Sequence, residues 1–311
     1  MKNILLGGVV LAMGVLVACG RQSSEVSPSF YHWKTRYSPT ASEKKSLQKL
    51  GVTRLYIKYF DVDWPEDASQ AQPQARVDFA QLPDVEVTPT VFLTNRTIQK
   101  TGEDNCPALA DKIFNLIFSL HPPQLPLPAE VQIDCDWTVG TRAAYFALLR
   151  RLDARLDSLE IALSATIRLH QLKYPEKTGV PPVDRGMLMF YNMGDLDNPQ
   201  EDNSILDVAE GERYLGKLDE YALPLDAALP IFAWGVLIRR EKPIKLINNL
   251  RIESTVDIPW FSKLSENRLR VDTSHYFGGH YLYAGDEIRF EEVAPVALLQ
   301  AAQLLGNGMA P

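Results

Sequence analysis

The sequence predicts an α/β fold, a (β/α)8 TIM barrel, on three observations. Short β-rich runs alternate with longer amphipathic stretches along the chain. Alternation of that kind builds a parallel sheet, and a strand count near eight favours closure into a barrel over an open sheet. The alternating stretch is roughly 280 residues long, the usual size of one such barrel. A doubly wound sheet is the main competitor, but no Gly-rich phosphate loop follows any early strand.

Phe30 to Trp33 reads as the first strand. Ser38-Pro39-Thr40 followed by Glu43 marks a helix start, and Gly51 its stop. Arg54 to Phe60 reads as the second strand, running into Asp61-Val62-Asp63-Trp64. Val85 to Leu93 is the third strand and Ala108 to Leu120 a helix. A Pro-rich loop from Pro122 to Pro128 leads to a fourth strand at Glu130 to Trp137. Thr141 to Leu156 is an amphipathic helix with Ala144, Leu148, Leu149 and Leu152 on one face. Strands five, six and seven are read at Leu159–Ile167, Gly186–Asn192 and Leu229–Val236. The eighth falls within His280–Phe290, and a helix from Pro295 to Leu305 closes the chain.

Composition narrows the functions. The hydrophobic fraction is ordinary for a globular protein, and the formal net charge of −7 excludes a nucleic-acid partner, which would need a basic face. Only Cys106 and Cys135 follow Cys19, so there is no disulfide framework, and Cys135 inside a strand reads as a buried free thiol. The five histidines have no ligand spacing and no Cys-x-x-Cys occurs, so neither a metal nor a cofactor is expected. No Gly-x-Ser-x-Gly elbow is present.

The fourth strand carries the chemistry. In Val131-Gln132-Ile133-Asp134-Cys135-Asp136-Trp137, Gln132, Asp134 and Asp136 share one face and the apolar residues the other. The apolar set suits the wall beneath the helices, so the polar set faces the interior and rises toward the C-terminal rim, where active sites of this fold sit. Two buried carboxylates cost several kcal/mol unless each finds a partner. Asp134 and Asp136 are therefore either a catalytic pair or structural acids bonded to neighbouring strands. Residues at other strand ends complete the candidate set: His32, Trp33, Tyr56, Lys58, Asp61 and Asp63 on the first two strands, and Thr166 and Arg168 on the fifth. Tyr191 and Asn192 end strand six, Asp195 and Glu201 follow it, and Trp234 lies on strand seven. The aromatic and glycine-rich segment Tyr276–Tyr281 either covers a site or forms a tight connection.

Two segments resemble known families. Lys2, the apolar stretch Ile4–Val17 and the ending Leu16-Val17-Ala18-Cys19-Gly20 match the signal and lipobox of bacterial lipoproteins. That resemblance implies cleavage before Cys19, acylation of its thiol and a membrane anchor outside the cytoplasm, at the outer membrane or cell surface. The domain reading is then a signal at 1–19, a polar tether at 20–29 and a single barrel at 30–311.

The second resemblance concerns Ile133-Asp134-Cys135-Asp136-Trp137-Thr138, which looks like the fourth-strand motif D-x-x-D-x-D-x-E of glycoside hydrolase family 18. Met189-Phe190-Tyr191-Asn192 is similar to that family's Met-x-Tyr-Asp. Uncharacterised glycosidase-like barrels with a QxDxD-type fourth strand are a further resemblance. In the family-18 mechanism the motif's glutamate protonates the leaving oxygen, and the adjacent Asp orients the substrate's N-acetyl group. Here Val131 stands at the first Asp, Thr138 at the glutamate and Asn192 at the strand-six Asp. Thr138 cannot serve as an acid, and losing general-acid catalysis costs about 10²–10⁴-fold.

Two functions are expected. The first is a membrane-anchored glycoside hydrolase acting on an extracytoplasmic polysaccharide, with Asp134, Asp136 and Tyr191 as its catalytic set. His32, Trp33, Lys58, Asp61, Asn192 and Trp234 would bind the substrate. The second is a non-catalytic lipoprotein whose degenerate barrel binds a glycan or a protein. Thr138 favours the second and the paired acids favour the first. A second carboxylate facing Asp136 would mark an enzyme, and a filled, fully bonded rim a binder.

Overall fold

The computed structural model describes residues 26–309. The expected signal segment 1–19, its Cys19 and the first part of the tether lie outside the described residues. Seven parallel strands pair in chain order into one curled sheet. They are β1 (Ser29–His32), β2 (Arg54–Asp63), β3 (Glu86–Leu93), β4 (Glu130–Asp134), β5 (Ala162–Arg168), β6 (Arg185–Met189) and β7 (Leu225–Ala228). The fold class is the expected α/β barrel architecture, wound as a curled parallel half-barrel. The chain enters at the N-terminal end of β1, so the entry lies on the floor and the C-terminal ends of all seven strands form the mouth.

Helices cover the outer face. The first, α1 (Ala41–Lys49), opens with a capping box: Thr40 accepts from the Glu43 N–H and the Glu43 side chain accepts from the Thr40 N–H. Between β3 and β4 lie α2 (Asn95–Thr101) and α3 (Cys106–Leu120), and α4 (Arg142–Leu156) joins β4 to β5. The buried stripe of α4 is Tyr145, Leu148, Leu149, Leu152 and Leu156. It packs with Ile113 and Ile117 of α3 and with Val131, Ile133 and Leu163 of the sheet in the main core. The outward parity of Val131, Ile133 and Trp137 is thus as the alternation predicts. Cys106 and Cys135 are free, buried thiols.

Beyond Phe232 the strand–helix alternation stops. Of strand seven as expected at Leu229–Val236, only Ala233–Val236 is strand; it belongs to Ala233–Arg239, which pairs antiparallel with Lys242–Asn248 on one side and Glu287–Glu292 on the other. The resulting five-stranded antiparallel sheet encloses its own core of Leu237, Ile247, Leu269, Val271, Ile288 and Phe290. The seventh barrel strand is instead Leu225–Ala228, whose Leu-Asp-Ala-Ala sequence carries little β signal. The expected eighth strand dissolves into a hairpin (His275–Phe277 with His280–Leu282) and the strand Glu287–Glu292. Tyr276–Tyr281 is the tight connection of that hairpin: Gly278 and Gly279 take φ of 56° and 80°, the turn geometry that glycine accepts without strain. The C-terminal helix (Pro295–Gly308) returns to the barrel and buries Ala301 and Leu305 in the main core.

Candidate functional site

The inward face of the sheet is polar at the floor. Arg54 on β2 donates to Glu86 on β3 at 3.1 Å and to Glu130 on β4 at 3.0 Å. Ser164 on β5 donates to the other oxygen of Glu130 at 2.5 Å and accepts from Gln132 at 3.2 Å. Gln132 in turn accepts the Tyr31 hydroxyl at 2.6 Å. These polar groups answer one another across the sheet, which is the condition for keeping them buried, while the buried Thr88 hydroxyl on β3 has no partner among the described residues. Midway up, Tyr56, Met187 and Met189 pack together with Tyr31, Tyr191 and Ala228 and fill the interior. Burial pushes the Tyr56 hydroxyl up to about 12.

Above this plug sits an ion triad. Registers place Asp61, Phe92 and Asp134 level on β2, β3 and β4. Asp134 keeps 6% of its side chain exposed and accepts from Thr166 at 2.7 Å and from Arg168 at 3.2 Å. The same guanidinium donates through Nε to Asp136, two residues up and past the end of β4. Burial raises the Asp134 pKa, against the lowering pull of Arg168 and the Thr166 hydrogen bond. Burial also works against the charge on Arg168, and the two carboxylates more than offset it, so it stays cationic. Asp136 leaves 56% of its side chain exposed, with one oxygen toward Arg168. Tyr191 stands beside this group, and its hydroxyl donates to Met189 Sδ at 3.2 Å; burial raises its pKa.

The other expected residues divide. Trp33 belongs to the mouth: it stacks on Tyr31 at 5.2 Å and 5°, and Tyr31 stacks on Tyr56 at 4.9 Å. Lys58 and Asp61 form an ion pair at 3.0 Å just inside the rim. Trp234 closes the opposite side through Phe232, 5.0 Å away, and Phe232 meets Tyr191 edge-on at 5.8 Å. His32 does not join them. It lies on the outer face with Phe30, where its Nε2 bonds the Arg36 carbonyl at 3.1 Å and its ring meets Tyr37. A strand that points Tyr31 and Trp33 inward must point His32 out. Asn192 turns the chain with φ of 56°, a conformation Asn tolerates, and donates its N–H to Ile205.

Thr138 is engaged in local structure. Its N–H donates to the Thr141 hydroxyl at 2.9 Å, and that hydroxyl reaches Asn95 at 2.6 Å, tying the start of α4 to α2. Asp195 and Glu201 brace their own loop, Glu201 accepting the Asp195 N–H at 3.3 Å. Two features escaped the sequence. The Arg168 bridge depends on a register between strands 34 residues apart in sequence. Glu291 is fully buried with Arg289 at 2.6 Å and accepts from Ser204 and from the Trp234 indole at 3.0 Å. The i, i+2 spacing of an Arg and a Glu in the strand Glu287–Glu292 was its only sequence signal. A depression of about 830 Å³ lies away from the mouth, between the 201–212 segment and the C-terminal helix.

Solved structures resemble this barrel across most of its length. The chitinase of Chromobacterium violaceum matches with a TM-score of 0.52 at 8% identity, covering 91% of this chain and 92% of that one. The spore cortex-lytic enzyme SleL of Bacillus cereus matches with a TM-score of 0.51 at 12% identity, covering 91% and 70%. The fold is that of a chitinase-type barrel. At such identities the likeness speaks for the fold alone. No family model matches the sequence, and no curated protein matches it either.

Proposed function

We propose that the chain is a membrane-anchored, extracytoplasmic glycan-binding protein, a chitinase-type barrel that holds its ligand without cleaving it. The observation that carries this reading is the Arg168 bridge. Ordinary glycoside hydrolysis sets two carboxyl groups about 5 Å or 6.5–9.5 Å apart across the scissile bond, one of them free to give a proton. Here Asp134 and Asp136 lie on one side, both committed to one guanidinium, and the position of the acid is the looped-in Thr138. What the mouth retains is a sugar platform: Trp33 stacked on Tyr31, with Tyr191, Phe232 and Trp234 opposite. Such rings take the apolar faces of pyranoses by stacking. The lipobox at Leu16–Gly20 supports an anchor through Cys19 at the outer membrane or cell surface.

A hydrolase remains the second reading, because the carboxylate of Asp136 is more than half exposed at the mouth. Both are tested by binding and turnover on a polysaccharide panel, with the full chain in detergent beside its Asp136→Asn and Trp33→Ala forms. Binding without product, weakened in Trp33→Ala, supports the proposal. Product that vanishes in Asp136→Asn replaces it with a hydrolase. Absence of binding to every member refutes both.

A further inference from the structure

The charge at the mouth is uneven. The strand β2 runs past the barrel rim and folds back as Gln72–Gln74, which pairs with Asp61–Asp63 and makes a projecting hairpin. Across from it, the segment after β6 leaves the rim at Tyr191 and is pinched at its neck by Asn192 to Ile205 at 2.7 Å and Gly194 to Ser204 at 3.2 Å. Residues 61–71 and 190–207 together carry nine Asp or Glu and no Lys or Arg. Asp61 is paired with Lys58 and Asp63 with Arg96. Among the described residues, Glu66, Asp67, Asp195 and Asp197 enter no ion pair, whereas Glu201, Asp202 and Asp207 line the separate depression beside the C-terminal helix. Between the two walls Arg168 answers two carboxylates with one charge, which leaves the triad itself anionic.

Lys58, Arg96 and Arg168 at the mouth are each answered by a carboxylate, so the excess there is negative, and an excess of one sign in a cleft focuses its field and concentrates ligands of the other sign. The aromatic platform at the mouth selects a sugar, and the charge around it selects a cation. An ammonium on the sugar would meet the exposed Asp136, whose second oxygen faces away from Arg168, as a charge-assisted hydrogen bond. An acetamide at the same place offers only a neutral N–H.

We infer that the ligand is a polysaccharide bearing free amino groups, a cationic amino-sugar polymer, rather than a neutral or uronic one. The inference rests on the glycan-binding reading above and names its substrate class. Its test is calorimetric titration of the full chain in detergent with β-1,4-linked glucosamine and N-acetylglucosamine hexamers, at low and high salt. The inference expects the glucosamine hexamer to bind at least about tenfold more tightly, the gain expected of a hydrogen bond to a charged group. That preference should shrink as salt rises. Asp136→Asn should remove most of it. Glu66→Gln, Asp67→Asn and Asp197→Asn, all at exposed positions, should each lower glucosamine affinity up to about threefold, as exposed charge pairs do, and leave the acetylated hexamer unaffected. Equal binding of the two hexamers, or preference for the acetylated one, overturns the inference and leaves the glycan-binding reading intact. Failure of both to bind, together with every member of the polysaccharide panel, removes that reading and the inference with it.

Discussion

Replacing Arg168 by Met keeps most of the side-chain volume and takes away the charge shared by Asp134 and Asp136. The two acids should respond differently. Asp136 is 56% exposed and loses at most about 1 kcal/mol, as exposed pairs do. Asp134 is 6% exposed and would be left as a buried charge with only Thr166. Breaking a buried pair costs about 3–5 kcal/mol. Arg168 is itself 22% exposed, so the lower end, about 3 kcal/mol, applies. For a domain of this size that is a drop in Tm of about 5 °C. The loss should also depend on pH. Burial already raises the Asp134 pKa in the native state, and without Arg168 it rises further. A carboxyl with a raised native pKa contributes stability at low pH and loses it as pH climbs through that pKa. The deficit of the variant is therefore full above its own native Asp134 pKa and closes as pH falls from there toward the native pKa of the wild type. Thermal melts followed by tryptophan fluorescence at neutral and mildly acidic pH measure this. Adding Asp134→Asn to Arg168→Met should recover most of the loss at neutral pH. A loss that ignores pH, or that the second substitution does not relieve, would refute the account of the triad.

Other perturbations have equally definite outcomes. Glu291→Gln strips the counter-charge from the fully buried Arg289 and should cost about 3–5 kcal/mol. Limited proteolysis should then cut within residues 195–203, the loop held by Ser204 on Glu291 and by the Asn198 carbonyl on Arg289. Gly235→Ala would place a methyl 2.7 Å from Leu250 Cδ2 and 2.9 Å from Ile288 Cγ2, and overpacking of that kind costs about 1–3 kcal/mol in denaturant titration. Burial lifts the Cys106 thiol to about 11 and raises that of Cys135 as well. Neither should react with a thiol reagent at neutral pH until the chain is unfolded, and a fast native reaction would contradict their placement.

The first six strands and the parity of β4 were legible because long β-rich runs separated by amphipathic helices leave few alternatives. Val131, Ile133 and Trp137 faced the helices as their alternation required. His32 shows the limit: it and Trp33 were both assigned to the mouth, yet adjacent residues of a strand cannot share a face. The seventh strand was hidden because Leu225–Ala228 is short and contains Asp and two Ala, while the apolar run after it drew the assignment. The sequence Ala233–Arg239 has the composition of a buried strand in either sheet type, and only its pairing partners make it antiparallel. The site divided in the same way. Asp134 and Asp136 declared themselves through local spacing, whereas their shared partner is fixed by the β4–β5 register, a contact between distant parts of the chain.

The point at which the chain enters the barrel sets how it would stand on a surface. Ser29 begins β1 at the floor, and the acid triad lies at the far end of the strands. With Cys19 acylated as proposed, residues 20–28 could stretch at most about 30 Å from the lipid headgroups. That leash ends beneath the barrel, so the protein would stand floor-down on the bilayer with its mouth open to the space beyond. A ligand held there would be a polymer strand approaching from the wall or the medium, and a chain anchored in the proposed way would act as a short peg between that network and the membrane.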